Sequence, residues 1–501
     1  TVPVPLPGLM QVPGESSQIR VGTHALNHLS GISPDHRTVV RMENGSVIAD
    51  DQWDGKVAFT ATGEVPVSEL QDTTLVTLAT PGFPGLPGTF IDAVLLNWVE
   101  VTYPRAYRAT QGILKFSPED TAEGRSFSIG GFRTQNISVY NVRDGRVLTQ
   151  AEVVDEGSGY RVEFELASVA GEFVAVDADA VLVPEAAEPD IGSDLRGDLT
   201  GADYIIVTHS RFLASAQQLA DHRRAGGLSV RVVDVTDIYD EFSFGNLEPE
   251  AIRTFVKYAY ENWAKRPTYL LLFGRASFDH RDFFNQWRSG RINYVPALPF
   301  QPFKRGYAFS DHLFGAVSGE DPIQDVLVGR LSVNTPQEAE TVVRKVTGYD
   351  LAQPARWNDR ILYMANYEEP PIFVNIADSL AKTYTEPKGI ESFKVYNEKD
   401  VSPAPNEDTR TVIEQFNEGR LVVNFLGHGS VSSMSGFLRG SFQRQNYNYI
   451  KPITNGERLP MVVAMSCLNG QYADPRFACL AEEMTVKRDG GAISYISSSE
   501  L

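Results

Sequence analysis

The chain has 501 residues and carries 64 Asp and Glu against 45 Lys and Arg, a formal net charge of −19. With 42% apolar and 22% charged residues, its composition is typical of a soluble globular protein of two or three domains. The negative charge argues against nucleic acid as a partner, because phosphates attract Lys and Arg. It favours a secreted or surface protein that is kept soluble by its charge.

The chain contains two cysteines, Cys467 and Cys479, which excludes a scaffold of disulfides and a cysteine-rich zinc site. No apolar run is long enough to span a bilayer. The sequence starts at Thr1 and stops directly after a predicted strand. We therefore expect a mature form without its signal peptide, and a chain that continues past residue 501 or is completed by a second polypeptide.

Residues 1–183 are predicted to form a β-rich N-terminal domain. Apolar and polar residues alternate at 57–60, 97–103 and 160–164, and short alternating runs punctuated by Gly and Pro indicate a sandwich or barrel-like domain. Residues 184–201 are rich in Pro, Gly, Asp and Glu and have no periodicity, which predicts a linker. We expect this linker to be exposed and open to nicking at Arg196.

Residues 202–501 are predicted to form a mainly parallel α/β sheet with helices on both faces, because apolar strand candidates alternate with amphipathic helix candidates. Strands are predicted at 204–208, 229–235, 269–273, 361–365, 393–396, 421–426, 461–465 and 492–496. Helices are predicted near 212–225, 249–263, 337–349, 372–384, 408–416 and 477–487.

Two polar motifs follow neighbouring strands of this predicted sheet. His428 comes after strand 421–426, and Cys467 comes after strand 461–465. Reactive groups of an α/β sheet gather beyond the carboxyl ends of its strands. The pair is therefore predicted to meet in space as a nucleophile and its base. The alternative is that Cys467 is a small buried hydrophobe and His428 an ordinary loop histidine.

Other residues are assigned supporting roles. Gly429 has no Cβ, so its N–H can approach a reacting carbonyl and, with the N–H of Cys467, is predicted to bind an oxyanion. Glu368 follows another strand and is predicted to orient the imidazole of His428, with a solvated loop carboxylate as the alternative. Cys479 lies on a predicted helix with apolar spacing and is interpreted as a core residue.

An acidic group of residues suggests calcium, but its spacing matches no calcium-binding loop, so a solvated acidic loop is favoured. The group consists of Asp311, Glu320, Asp321 and Asp325. No metal ligand is assigned from the sequence, and no cofactor is expected for the chemistry.

The order of these motifs resembles that of the gingipain-type cysteine peptidases of the caspase-like clan. The resemblance rests on Gly427-His428-Gly429-Ser430, Ser466-Cys467-Leu468-Asn469-Gly470, Cys479-Leu480-Ala481-Glu482, Gly490-Gly491-Ala492-Ile493, residues 201–208, Ser310-Asp311 and residues 328–331. It covers about residues 200–501. It implies a caspase-like α/β fold, a Cys467–His428 dyad, an acidic partner at Glu368 beside Glu369, secretion and, in many members, structural calcium.

This chain departs from that family at two places. Gly274-Arg275 stands where the family often has Gly-Asp, and the acidic residue that gives some members a preference for Arg has no clear match. The β-rich domain, with its run at 97–103, also resembles the sortase subgroup of the family. That subgroup serves the type IX secretion system by removing a C-terminal signal and transferring the cargo to a surface anchor.

The sequence therefore favours a secreted or surface-located cysteine endopeptidase that acts on protein or peptide substrates. A sortase-like transpeptidase with secretion-system partners is the first alternative. A non-catalytic surface binding protein that keeps the fold is the second.

Overall fold

The structure is a computed structural model that describes residues 1–28, 31–82, 91–118, 124–143, 145–148, 150–166, 171–184, 192–287, 290–300, 308–397, 406–441 and 448–500. The described residues fall into two compact units, one in residues 1–184 and one in residues 192–500. The first unit is built from antiparallel strands, and the second from parallel strands and helices.

The strands of the first unit pair antiparallel in four sheets. They are β1 (Val2–Pro5), β2 (Ser16–Ala25), β3 (His36–Met42), β4 (Val47–Trp53), β5 (Ala58–Pro66), β6 (Thr73–Ala79), β7 (Val94–Thr102), β8 (Ile113–Phe116), β9 (Arg125–Phe132), β10 (Ile137–Asn141), β11 (Glu152–Asp155), β12 (Tyr160–Leu166) and β13 (Phe173–Asp177). The sheet orders are β1-β6-β3-β4, β5-β2-β7, β10-β13-β8 and β11-β12-β9.

These four sheets enclose two separate cores, where the sequence predicts one sandwich or barrel-like domain. Val21 of β2 and Val40 of β3 share a buried cluster, so the two sheets that carry them face each other. Phe116 of β8 and Phe164 of β12 belong to a second cluster. Because each strand turns one apolar side inward, the unit consists of two small β-sandwiches in succession.

The second unit contains the remaining strands and helices. The strands are β14 (Tyr204–Thr208), β15 (Val230–Asp234), β16 (Tyr269–Phe273), β17 (Leu298–Phe300), β18 (Ala308–Ser310), β19 (Leu327–Leu331), β20 (Arg360–Asn366), β21 (Glu391–Asn397), β22 (Val422–Leu426), β23 (Gly429–Ser430), β24 (Ser433–Met434), β25 (Leu438–Arg439), β26 (Met461–Met465) and β27 (Ser494–Ser497). The helices are α1 (Leu213–Ala225), α2 (Val235–Ser243), α3 (Pro249–Asn262), α4 (Pro336–Leu351), α5 (Ile372–Leu380), α6 (Glu407–Glu418) and α7 (Leu480–Val486).

The parallel strands are divided between two sheets. The first has the order β15-β14-β16-β19, and the second has the order β21-β20-β22-β26-β27. All neighbouring strands within each of these sheets are parallel. The prediction of a mainly parallel α/β architecture is confirmed, but the predicted single sheet is replaced by two.

Helices cover both faces of the first sheet. Ile205 and Val207 of β14 join a core with residues of α2 and α3, whereas Ile206 joins a core with residues of α1 and α4. Successive side chains of a strand point to opposite faces. A strand covered on both sides must therefore be apolar throughout, which explains the continuous apolar runs of the sequence.

Helix α7 is held at both ends by buried side chains from the first sheet and from α4. At its start, Glu482 accepts hydrogen bonds from the N–H of Cys479 at 3.0 Å and from Ser332 Oγ at 2.6 Å, and it contacts Arg275 Nη1. At its end, the Lys345 amino group donates to the carbonyl oxygens of Thr485 at 2.7 Å and of Gly490 at 2.9 Å. These contacts satisfy helix-end groups that a helix cannot satisfy alone.

Arg275 links the end of β16 in the first sheet to the segment that precedes α7. Arg275 is 2% exposed. Besides Glu482, it donates from Nη2 to the carbonyl oxygens of Asp474 at 2.7 Å and Phe477 at 3.1 Å. Arg275 thus forms a buried ion pair with Glu482 that joins the two halves of the α/β unit.

Replacing Arg275 by Met is expected to destabilise the α/β unit by about 3–5 kcal/mol, because it leaves the buried carboxylate of Glu482 without its counter-ion. The double variant Arg275→Met/Glu482→Met is expected to recover much of that loss. Urea unfolding of the full chain measures both. The matched control is Lys257→Met, which breaks an exposed helical pair with Glu261 and should cost less than about 1 kcal/mol. An equal loss of stability in Arg275→Met and Lys257→Met would contradict the assignment of Arg275 to a buried ion pair.

The predicted linker at 184–201 is not a free tether in its described second part. Leu195 is buried in the core of the α/β unit, and the N–H groups of Leu195 and Arg196 donate to the carboxylate of Glu241 at 2.7 and 3.0 Å. The Arg196 guanidinium lies 4.2 Å from the ring centroid of Phe242. These residues thus make contacts that a flexible linker would lack, but Arg196 is exposed and nicking there stays a prediction. Residues 185–191 lie outside the described residues.

Candidate active site

Strands β22 and β26 bring the two predicted catalytic side chains to the same edge of the second sheet. The strands are paired in parallel, with Leu426 opposite Met465. His428 and Cys467 each come two residues after this pair. The side chain of His428 is 64% exposed, and Cys467 is a half-buried free cysteine. Both are open to a molecule in solution.

The imidazole of His428 contacts the carboxylate of Glu368 through Nε2 and Oε1. The adjacent Glu369 instead accepts a hydrogen bond from the Tyr367 hydroxyl at 2.8 Å. The edge of Phe373 packs against the imidazole, with ring centroids 5.7 Å apart. Because Glu368 engages Nε2, Nδ1 is the ring nitrogen left for a thiol.

The backbone of residues 427–435, here called the histidine loop, is fixed by Asn366 at the end of β20. Asn366 Oδ1 accepts a hydrogen bond from the N–H of His428 at 2.9 Å, and Nδ2 donates to the carbonyl oxygen of Ser435 at 3.0 Å. Gly427 leaves room for this contact, because a Cβ there would come within 2.2 Å of Asn366 Oδ1. Any larger residue at Gly427 would displace the histidine loop.

Gly429 lies directly against residues 466–470, here called the cysteine loop. A Cβ at this position would come within 2.7 Å of Ser466 Oγ and 2.9 Å of the carbonyl oxygen of Cys467. The absence of a side chain therefore lets the two loops approach each other. The oxyanion role predicted for the N–H groups of Gly429 and Cys467 stays a prediction.

The residue after Cys467 has a left-handed backbone. Leu468 has a φ of +61°, a conformation that costs a non-glycine residue about 1–2 kcal/mol. Hydrogen bonds on its far side hold the turn, because the N–H of Gly470 donates to the carbonyl oxygen of Ser498 at 2.9 Å. Strained residues of this kind cluster at functional sites, which fits a sharp turn that presents the Cys467 side chain.

Asn469 is the residue at this site whose role the sequence does not reveal. The motif Asn469-Gly470 predicts only a tight turn, yet Asn469 is fully buried. Its amide donates to the carbonyl oxygens of Ser430 and Ser433, at 2.6 and 2.9 Å. It therefore joins the cysteine loop to the histidine loop. The only sequence signal was its position two residues after the candidate nucleophile.

Cys479 is enclosed in the core and lies at the N-cap of α7, one residue before the helix, where the sequence predicts a helical position. Burial raises the pKa of its thiol well above the usual range, so it stays protonated. A protonated thiol is a poor nucleophile, and a buried one cannot reach a substrate carbonyl. The interpretation of Cys479 as a core residue agrees with this environment.

Three of the four acidic residues considered for calcium make separate contacts of their own. Asp311 pairs with Arg330 at 2.6 Å, Asp325 accepts hydrogen bonds from the N–H groups of Val317 and Ser318, and Asp321 accepts one from Ile323. Across the described ranges, no three His, Cys, Asp or Glu side chains converge as a set of metal ligands. Because Ca²⁺ also binds backbone carbonyl oxygens, the structural calcium implied by the resemblance stays a prediction.

A comparison with known proteins identifies the family of this chain. The sequence profile of peptidase family C25 matches residues 198–501, a range that contains Glu368, His428 and Cys467. The chain belongs to peptidase family C25. The family is one of cysteine peptidases, and the match lies within the α/β unit.

Two gingipains of Porphyromonas gingivalis are relatives within family C25. Gingipain R2 is 24% identical over 307 residues, which are 59% of this chain and 36% of gingipain R2. Gingipain R1 is 24% identical over 307 residues, which are 59% of this chain and 27% of gingipain R1. The chain thus spans about a third or less of the length of the curated relatives that it matches.

Two solved structures superpose on this chain. Dimeric latent PorU from Porphyromonas gingivalis superposes with a TM-score of 0.52 and 21% identity, over 70% of this chain and 35% of that one. The Arg-specific cysteine proteinase gingipain R (RgpB) gives a TM-score of 0.47 and 23% identity, over 62% of this chain and 65% of that one. The likeness to PorU shows the caspase-like α/β fold that the sequence predicts.

The α/β unit of this C25 member has no membrane-crossing element among its described helices. The same holds for the described part of the first unit: no helix there combines the length and the apolar character needed to cross a bilayer.

Proposed function

We propose that this chain is a secreted or surface-located cysteine endopeptidase, with Cys467 as nucleophile, His428 as base and Glu368 as the group that orients the imidazole. The observation that carries the proposal is the contact of His428 Nε2 with Glu368, at the edge where β22 and β26 deliver His428 and Cys467. Glu368, His428 and Cys467 follow three neighbouring parallel strands, β20, β22 and β26. This placement supports the roles of an orienting acid, a base and a nucleophile.

In the proposed reaction, the proton of Cys467 Sγ passes to His428 Nδ1 while the sulfur attacks the carbonyl carbon of a peptide bond. The N–H groups of Gly429 and Cys467 stabilise the resulting oxyanion. Collapse of this intermediate breaks the C–N bond, and the imidazolium of His428 protonates the departing amine. Water, deprotonated by His428, then attacks the thioester and releases the new carboxylate and the thiol. No cofactor takes part in these steps.

The surroundings of the dyad support a peptide substrate. Met465, at the end of β26, is 57% exposed, and Tyr367, at the end of β20, is 37% exposed. Exposed apolar side chains beside a nucleophile offer contacts to the side chains of a bound peptide. The net charge of −19 makes nucleic acid an unsuitable partner.

Transpeptidation is the second candidate, in which a sortase-like enzyme removes C-terminal secretion signals and anchors the cargo at the cell surface. The observation that favours it is the β-rich first unit, whose run at 97–103 resembles the sortase subgroup. The superposition on PorU, over 70% of this chain, is longer than the residues 198–501 that match the C25 profile. The two reactions share the thioester and differ in its acceptor, since an amine replaces water. Secretion-system components would then be partners.

A peptide library incubated with and without an added amine separates the candidates. Hydrolysis alone supports the peptidase, and new amide products that grow with amine concentration support the transpeptidase. A thiol probe with an electrophilic group identifies the reactive residue in parallel. If neither hydrolysis nor amide products form and Cys467 is not labelled, both candidates are contradicted. That outcome would favour a non-catalytic surface binding protein.

Replacing Glu368 by Gln is expected to lower kcat about tenfold or less. The pair with His428 is largely exposed, with side chains 46% and 64% accessible, and exposed ion pairs contribute only about 0–1 kcal/mol. Glu369→Gln is the matched control, since that carboxylate bonds Tyr367 instead, and its kcat should stay at the wild-type value. A silent Glu368→Gln together with a severe Glu369→Gln would mean that the adjacent carboxylate is the orienting acid.

A further inference from the structure

We propose that Asn469 is a positioning residue that sets the spacing between His428 and Cys467, an inference that rests on the proposed peptidase function. Asn469 lies two residues after Cys467, and its side chain reaches the histidine loop. The two carbonyl oxygens that it binds belong to Ser430 and Ser433, the segment that follows His428.

The orientation of this amide is fixed by its four partners. The carbonyl oxygens of Ser430 and Ser433 only accept hydrogen bonds, so the end of Asn469 that faces them is the NH₂ group. The opposite end faces two hydroxyl groups, those of Ser466 at 3.0 Å and Tyr495 at 3.2 Å. Burial raises the pKa of the Tyr495 phenol well above its usual range, so this hydroxyl keeps its proton and continues to donate.

These hydrogen bonds connect the segments on either side of the dyad. Ser466 immediately precedes Cys467, and Ser430 follows His428 by two residues. Both loops also dock on α7, since the N–H of Leu480 donates to the carbonyl oxygen of Val431 at 2.8 Å and the N–H of Ala481 donates to that of Asn469 at 3.1 Å. The Asn469 side chain is thus a direct link from one catalytic loop to the other, with Cys467 and His428 on the solvent side.

The link matters for chemistry because proton transfer between Cys467 and His428 depends on their separation. A displacement of about 1 Å in an active site can lower the rate on the order of 100-fold. A fully buried Asn elsewhere provides the matched control. Asn455 donates to the carbonyl oxygens of Arg458 at 2.7 Å and Gly491 at 3.0 Å, and it accepts from the N–H of Gly491, all at the opposite ends of β26 and β27.

The test uses the full chain and the rate of Cys467 alkylation by iodoacetamide at pH 6, measured by peptide mass mapping. The histidine gain is the ratio of this rate to the rate in a His428→Ala background. We expect a gain well above one in the wild type, a fall of at least about tenfold in Asn469→Ala, and an unchanged gain in Asn455→Ala. Peptide turnover should show a lower kcat in Asn469→Ala at an unchanged KM. Asn469→Ser keeps one donor, and its histidine gain should lie between those of the wild type and Asn469→Ala. It replaces Asn469→Ala in the test if the alanine variant does not fold.

The outcomes separate this inference from the proposed function. A histidine gain near one in the wild type would overturn the dyad itself. A clear wild-type gain that persists in Asn469→Ala and Asn469→Ser would overturn the positioning role and leave the dyad standing. Equal losses of gain in the Asn469 and Asn455 variants would also overturn it, because they would reflect general loosening of the fold.

Discussion

Replacing Cys467 by alanine is expected to abolish both peptide cleavage and labelling by an electrophilic thiol probe, while the fold is retained. The variant lacks the sulfur that forms the thioester, and no other described residue near His428 carries a thiol. Because Cys467 is only half-buried on a loop, its truncation leaves no large internal cavity. Probe labelling, turnover of a cleaved peptide and the thermal unfolding midpoint measure the three expectations.

The second cysteine is the control for this experiment. Cys479→Ala should keep full labelling and lower the stability by about 0.5–3 kcal/mol, because the side chain is fully buried at the start of α7. Labelling that persists in Cys467→Ala and disappears in Cys479→Ala would reverse the assignment of the nucleophile.

Replacing His428 by alanine is expected to lower kcat by about 10²–10⁴, the usual contribution of a general acid–base group. The variant loses the acceptor for the thiol proton and the donor for the departing amine. Its stability should change little, since the imidazole is largely exposed and its described contacts are with Glu368 and the edge of Phe373. Steady-state kinetics on a cleaved peptide gives kcat, and circular dichroism verifies the fold.

The control for His428 is a histidine outside the site. His222, near the end of α1, pairs with Asp350 at 3.0 Å, and His222→Ala should retain wild-type turnover. If His428→Ala also retained wild-type turnover, Cys467 would need another base, and the dyad would be refuted.

The parallel strands and amphipathic helices of the α/β unit are largely predictable from sequence. The sequence predicts β14, β16 and β26 with the bounds that the structure has, because a strand covered on both faces is a short, continuous apolar run. It misses β19, whose residues are exposed or half-buried and include Gly329 and Arg330. It also misses α2, which begins directly after β15, although Asp234 at its N-cap is a typical start signal.

Contacts between distant polar residues are not predictable in this way. Arg275 and Glu482 are 207 residues apart, and nothing in the local spacing of either residue indicates the other. Asn469 is a turn residue by its sequence and a buried link by its structure. The division of the strands between two sheets is unpredictable for the same reason, since periodicity identifies a strand but not the strands that pair with it. The sequence can pair His428 with Cys467, because each follows a predicted strand. It cannot identify the side chains, such as Asn469, that hold their loops together.

Helix α7 also has a consequence for the order in which the protein is made. The helix has seven residues, too few to be stable alone, and the side chains that hold its ends, Arg275 and Lys345, come much earlier in the chain. Synthesis from the N-terminus therefore completes the first sheet and α4 before α7 exists. A nascent chain that has reached only residue 479 already contains His428 and Cys467 but lacks the helix on which both loops dock. The loops that carry Cys467 and His428 can therefore take their final places only after residues 480–486 have been made.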